Sequence, residues 1–241
     1  MGPGQNMGPS FIREVIKKYP DRVAFIETMD DRSSLTNALE FSSTDVFQHT
    51  SEDMTLDRIT EYGVTTVVLI WWPKIVKKIH KTPEVTVINT HPAYLPYNRG
   101  KHPYYWALME GTLFGATIHR VDDGVDTGTI LWRNEIQLDP TDTGEDAYLK
   151  GLEATRQLLY NNIINIVFEN FPAGIAQDEG KATEHHSSEF ELPPIKENES
   201  YDGHTLVRDC LARTFNNNHS GRRIEINGKM YRIHLSLVEE K

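Results

Sequence analysis

Between residues 85 and 92 the chain reads Val-Thr-Val-Ile-Asn-Thr-His-Pro, β-branched and uncharged after Glu84. That pattern predicts a strand buried on both faces of a parallel sheet. Its end carries Asn89 and His91 at i, i+2, so strand alternation sends both side chains to one face. Apolar runs at 22–27, 64–70, 115–121 and 129–138 predict further strands, the second one buried and running into Trp71-Trp72-Pro73. Residues 45–49 predict a short edge strand. Helical periodicity fills the gaps. Ser10 is the expected N-cap of a helix through Tyr19, with Phe11, Val15 and Ile16 on one face. A second helix is expected from Ser51, where Ser51-Glu52-Asp53 supplies a cap and early negative charge. A third covers 103–111, closed by Gly111, and the longest covers 145–168, with Leu152, Leu159, Ile163, Ile166 and Val167 at core spacing. Residues 29–43 are polar and predict a loop with a short helix.

Strands alternating with helices give an α/β fold: a Rossmann-like, mostly parallel sheet with helices on both faces. Composition shifts near Gln177. Residues 178–204 are rich in Glu, His, Ser and Pro and read as an extended excursion, followed by a short helix at 203–214. Asn227-Gly228 between two alternating runs then signals a β-hairpin. The expected domains are a catalytic domain at 1–177 and a C-terminal extension at 178–241 ending in the hairpin.

The 241 residues carry a net charge of -10 and are 38% hydrophobic. The acidity argues against a nucleic-acid footprint, which needs a basic face. A single cysteine, Cys210, gives no intramolecular disulfide framework and fits a reducing compartment. No apolar run reaches bilayer-spanning length and the start lacks a signal sequence, so a cytoplasmic protein without a membrane partner is expected.

Candidate chemistry starts at the strand end. Open α/β sheets place ligands at the carboxyl ends of their strands, and an amide beside an imidazole suits oxyanion stabilisation and proton transfer. Asp126, in a loop bounded by Gly124 and Gly128, is the natural third partner. The bland alternative makes Asp122, Asp123 and Asp126 ordinary turn residues. His185-His186 lie in an extended segment and point to opposite sides, and no zinc spacing occurs, so no metal is expected. Glycines 2, 4 and 8 follow no strand and lack the phosphate-loop Lys-Ser/Thr, which excludes a nucleotide loop. Cys210 reads as a buried structural thiol.

The run Asn89-Thr90-His91-Pro92-Ala93-Tyr94-Leu95-Pro96, with Asn98-Arg99-Gly100, His102-Pro103 and Trp106-Ala107-Leu108, resembles the signature of the folate-dependent formyltransferases. The likeness continues through Gly111, Gly115-Ala116-Thr117-Ile118-His119, Val125-Asp126-Thr127-Gly128 and Asp142-Thr143, and covers roughly 60–175. It implies catalytic roles for Asn89, His91 and Asp126, and 10-formyltetrahydrofolate as cosubstrate. It also implies a pterin pocket at Trp71, Trp72, Pro73 and Lys74 and at Thr141, Asp142 and Thr143, and substrate contacts from Tyr97, Arg99, Gly100 and Pro103. Methionyl-tRNA formyltransferases carry a larger basic C-terminal domain. Glycinamide ribonucleotide formyltransferases usually lack the Arg-Gly-x-x-Pro-x-x-Trp pattern at Arg99, Gly100, Pro103 and Trp106. The tail at 182–190, with its hairpin, is most similar to sugar N-formyltransferases, which act on amino sugars carried on a nucleotide diphosphate for surface polysaccharide such as O-antigen. That resemblance implies a homodimer, with the hairpin as candidate contact. One departure is plain: the family opens with a central apolar strand, and residues 1–9 cannot make it. The alternatives are a methionyl-tRNA formyltransferase-like enzyme and a folate- or sugar-nucleotide-binding protein without turnover.

Overall fold

The computed structural model describes residues 7–29, 43–216 and 220–240; most of the polar 29–43 stretch therefore lies outside the described residues. The chain divides into two compact units. One comprises 1–91, 117–132 and 155–177, the other 92–116, 133–154 and 178–241. Compactness thus joins the C-terminal extension to two internal stretches of the chain.

In the first unit, α1 (Met7–Lys18) starts before Ser10, which is inside the helix and is not its cap. Pro9 explains the early start. In a first turn the missing N–H of proline is one that has no intrahelical partner anyway. Phe11, Val15 and Ile16 are buried as the spacing requires. A 3-10 turn at Pro20–Arg22 delays the next strand, so β1 is Phe25–Thr28 rather than 22–27. β1 pairs in parallel with β2 (Asp45–Gln48). Ser51 caps α2 (Glu52–Tyr62), its hydroxyl accepting from Met54 N at 3.3 Å, and Gly63 closes it at φ +63°. The carboxylate of Glu27 ties these elements together, accepting from Thr55 at 2.8 Å and Arg58 at 2.6 Å and lying 3.0 Å from His49 Nδ1.

β3 (Thr66–Ile70), β4 (Thr86–His91), β6 (Phe114–Arg120) and β7 (Ile130–Ile136) form a four-stranded sheet in the order β3-β4-β6-β7; residues of β6 and β7 are shared between the units. β3 runs parallel to β4, and β4 antiparallel to β6. β3 is half-buried along its length, not buried as its composition predicts, because it is the outer strand of that sheet among the described residues. One face packs as Val67, Leu69 and Val87 with Ile59, Val76 and Ile79. The predicted 145–168 helix is two: α4 (Gly144–Asn161) and α5 (Ile163–Val167). The break is at Asn162, whose side-chain amide donates to the Leu158 carbonyl at 2.8 Å, giving the backbone a local alternative to the helical ladder.

In the second unit, β5 (Arg99–Gly100) pairs with β8 (Glu184–His185). α3 (Pro103–Glu110) opens with Pro103 and closes at Gly111, φ +65°. After α6 (Ser187–Phe190), β9 (Ile195–Lys196) and α7 (Gly203–Ala212) comes the hairpin of β10 (Arg222–Ile226) and β11 (Lys229–Ile233). Its turn residues Asn227 and Gly228 have φ +50° and +70°, as a two-residue turn matching strand twist demands. The extended 178–204 excursion is pinned at β8 and β9. His185 is buried and His186 exposed, the opposite orientations expected of neighbours in extended chain. Cys210 is buried on α7, and that burial pushes its thiol pKa up.

Candidate active site

The register of the sheet builds the site. Asn89 of β4 faces His119 of β6, and His91 faces Thr117. Alternation then carries Asn89, His91 and His119 to the place where the loop after β6 returns with Asp126. His91 Nδ1 lies 3.5 Å from Asp126 Oδ2, His119 Nε2 lies 3.4 Å from Oδ1, and Asn89 Nδ2 donates to Oδ1 at 3.4 Å. Asn89 Nδ2 and His119 Nε2 are 3.5 Å apart. Both imidazoles are buried and the Asp126 side chain is 13% exposed. A carboxylate so removed from water requires donors, and here it has an amide and two rings around it.

His119 adds a constraint that the single strand pattern does not reveal. Its Nδ1 is 2.8 Å from the Arg120 carbonyl, which can only accept, so Nδ1 carries a proton. The Nε2 end is therefore the one that meets Asp126 and Asn89. In the neutral ring it accepts from the amide; in the charged ring it donates to the carboxylate. Sequence reasoning passed over His119 because its partnership depends on which residue of β6 lies opposite Asn89.

The three loop aspartates separate into distinct duties. Asp122 accepts from Gly124 N and the Thr127 hydroxyl, the local turn role. Asp123 lies 3.0 Å from His80 and 2.6 Å from Lys81, and these partners hold its carboxyl below the usual range. Only Asp126, at φ +53°, points to Asn89 and the histidines. The loop is braced from behind: Gln177 Nε2 donates to the Asp126 and Gly128 carbonyls at 2.7 and 2.8 Å. Gly128 admits no side chain, since a Cβ there would come within 1.8 Å of the Arg120 carbonyl. Gln177, which the sequence offered only as a composition boundary, is thus the second residue missed.

The other predicted site residues divide between the units. In the first, Trp71 follows β3 at φ +54° with its amide 3.4 Å from Thr90 Oγ1, and Trp72 packs against the core, edge-on to His49 at 4.8 Å. Both are half-buried, and Pro73 and Lys74 are exposed. In the second, Asp142 is buried against Lys150 at 2.6 Å, and Thr143 bonds Asp146 reciprocally at the start of α4. Tyr97 is half-buried, while Arg99 is buried and grips Glu179 with two bonds of 3.0 and 2.7 Å. Gly100, at φ +88°, allows β5 to pair with β8, since a Cβ would meet the His185 carbonyl at 2.3 Å. Pro103 is buried at the head of α3.

A family model described as Formyl transferase matches residues 15–163. The dTDP-4-amino-4,6-dideoxyglucose formyltransferase of Mycobacterium bovis is 30% identical over 96 residues, 40% of this chain and 41% of that protein. A methionyl-tRNA formyltransferase of Ehrlichia ruminantium is 32% identical over 183 residues, 73% of this chain and 55% of that protein. The chain therefore spans from about two fifths to just over half the length of these relatives. Among solved structures, a sugar N-formyltransferase from a Shewanella species superimposes with a TM-score of 0.78 at 21% identity, over 96% of this chain and 94% of that one. An N-formyltransferase from Helicobacter canadensis, in complex with folinic acid and dTDP-3-aminofucose, gives 0.69 at 17% identity, over 92% and 81%. These two likenesses establish the fold.

Proposed function

We propose, from the premise that this chain belongs to the formyl transferase family, that it moves a formyl group from 10-formyltetrahydrofolate to the amine of a nucleotide-linked amino sugar. The observation that carries the reading is the convergence of Asn89, His91 and His119 on Asp126 within 3.4–3.5 Å. Contacts of that length are at the outer limit of hydrogen bonding, and the Asn89 amide has a second N–H to offer a reacting group.

The steps follow from the residue types. The acceptor amine attacks as a neutral base and forms a C–N bond to the formyl carbon, whose carbonyl becomes an oxyanion. The Asn89 amide and protonated His91 stabilise that charge. Asp126 holds the His91 ring and receives the proton that the amine sheds. Collapse breaks the bond to N10 of the folate, which takes a proton and leaves as tetrahydrofolate. No metal enters this balance.

The acceptor class is supported by the mycobacterial relative, whose name specifies a dTDP-linked amino sugar, and by the Helicobacter neighbour with its folate and dTDP-sugar ligands. The Ehrlichia relative favours a second reading, methionyl-tRNA, with the same chemistry and a different acceptor. The deciding experiment incubates the chain with formyl-labelled 10-formyltetrahydrofolate and dTDP- or GDP-linked amino sugars, and in parallel with methionyl-tRNA. Label in a sugar nucleotide supports the first reading, label in tRNA the second, and label in neither overturns both.

A further inference from the structure

The hairpin sets two like charges face to face. Arg223 of β10 is the direct cross-strand partner of Arg232 of β11, an arrangement that destabilises a strand pair. Neither guanidinium meets a carboxylate among the described residues. Arg223 donates to the Leu192 carbonyl at 3.1 Å, and Arg232 to the Ser220 carbonyl at 3.4 Å. With five donors each, both keep most of their capacity. They line a cavity of about 470 Å³ whose other walls include Tyr104, Phe190, Phe215, Arg213 and Arg222. Those last two arginines share a single carboxylate, Asp209, at 2.5 and 2.6 Å. Among the described residues, Glu191 is the one acidic residue lining the cavity.

The geometry points to a binding site for a diphosphate-bearing ligand at this cavity. Arg223 and Arg232 each present a planar fork to one phosphoryl group, a match of shape that an ammonium does not offer. A bound anion offsets the repulsion between the paired Arg223 and Arg232. Aromatic rings beside the guanidiniums provide a stacking wall for a nucleobase. The choice of a nucleoside diphosphate as probe rests on the sugar-nucleotide reading; the anion site itself does not.

The experiment is calorimetric titration of the full chain with inorganic pyrophosphate and with dTDP. Both are expected to bind, Arg232→Ala and Arg223→Ala weakening each by about tenfold or more, and Phe215→Ala weakening dTDP alone. Ligand-free Arg232→Ala is expected to melt no lower than the parent protein, because it relieves the like-charge pair; Arg232 is exposed, so this variant decides the matter if Arg223→Ala fails to fold. Failure of both probes to bind, or equal affinity in Arg232→Ala, overturns the inference. The two proposals fail separately. Arginine-dependent dTDP binding without formyl transfer leaves this site standing and removes the activity, whereas formyl transfer to a sugar nucleotide with binding indifferent to Arg232 does the reverse.

Discussion

At the scale of the residue, the site rests on how few groups do the chemistry and how many hold them. In the proposed mechanism Asn89 and His91 act on the reacting centre, while Asp126 is met by Asn89, His91 and His119 and its loop is held by Gln177. Asn89→Ala removes an oxyanion donor, so the transfer rate is expected to fall on the order of a hundredfold to a thousandfold. His91→Ala is expected to fall at least as far, since it also loses the ring paired to Asp126. Both variants should keep their substrate affinity, and single-turnover transfer beside equilibrium binding would check it. Normal rates in either variant would sink the mechanism. Asn89 and His91 were legible in the sequence because their i, i+2 spacing at a strand end is local, whereas Asp126, 37 residues away, was secured through the resemblance to the formyltransferase signature. His119 and Gln177 were not, because one depends on inter-strand register and the other on a return of the chain after 51 residues.

At the scale of the element, the same division between local and distant causes holds. Ser51, Gly111 and Asn227-Gly228 fixed their caps and turn through their own backbone preferences, and the structure agrees at each. The sequence misread α1 and α4 where one residue outweighed the periodicity: Pro9 extended the first helix backward and Asn162 cut the last one short. Two polar clusters make predictions here. Asp146 accepts from the Thr143 hydroxyl and amide at the start of α4, and these bonds hold its carboxyl below the usual range. Because the folded form releases its proton more readily than the unfolded chain, the bond stabilises fully above the ordinary carboxylate range and is lost as pH falls from that range through the lowered folded-state value. The stability gap between parent and Asp146→Ala in urea unfolding should therefore narrow on acidification. Asp209 poses a larger question. It pairs with Arg213 and Arg222 and accepts from the Tyr105 hydroxyl at 2.7 Å, which together with burial pushes that hydroxyl up to about 12. Asp209→Ala leaves two buried guanidiniums without their carboxylate and should cost about 3–5 kcal/mol. A drop in melting temperature of only a degree or two would mean the arginines find other partners.

At the scale of the whole molecule, charge separates the two acceptors that share one chemistry. The chain carries -10 overall, while among the described residues lining the hairpin cavity four arginines stand beside the single acidic Glu191. A tRNA acceptor needs many phosphate contacts, and each contributes close to one unit of slope in a plot of log affinity against log salt. In the proposed site the two phosphoryl groups of a sugar nucleotide meet Arg223 and Arg232, whose guanidiniums each keep donors beyond the one given to a backbone carbonyl. The expected slope for sugar-nucleotide binding is therefore about -1 to -2, against roughly -4 to -5 or steeper for a polyanion gripped at six or more phosphates. Measuring affinity for each acceptor across a range of salt concentrations tests this directly. A steep slope with tRNA, together with tight binding at low salt, would show that the chain finds a basic face despite its net charge and would move the acceptor to tRNA. A shallow slope confined to the sugar nucleotide keeps recognition local, where a few arginines on an acidic body suffice because the ligand is small enough to contact nothing else.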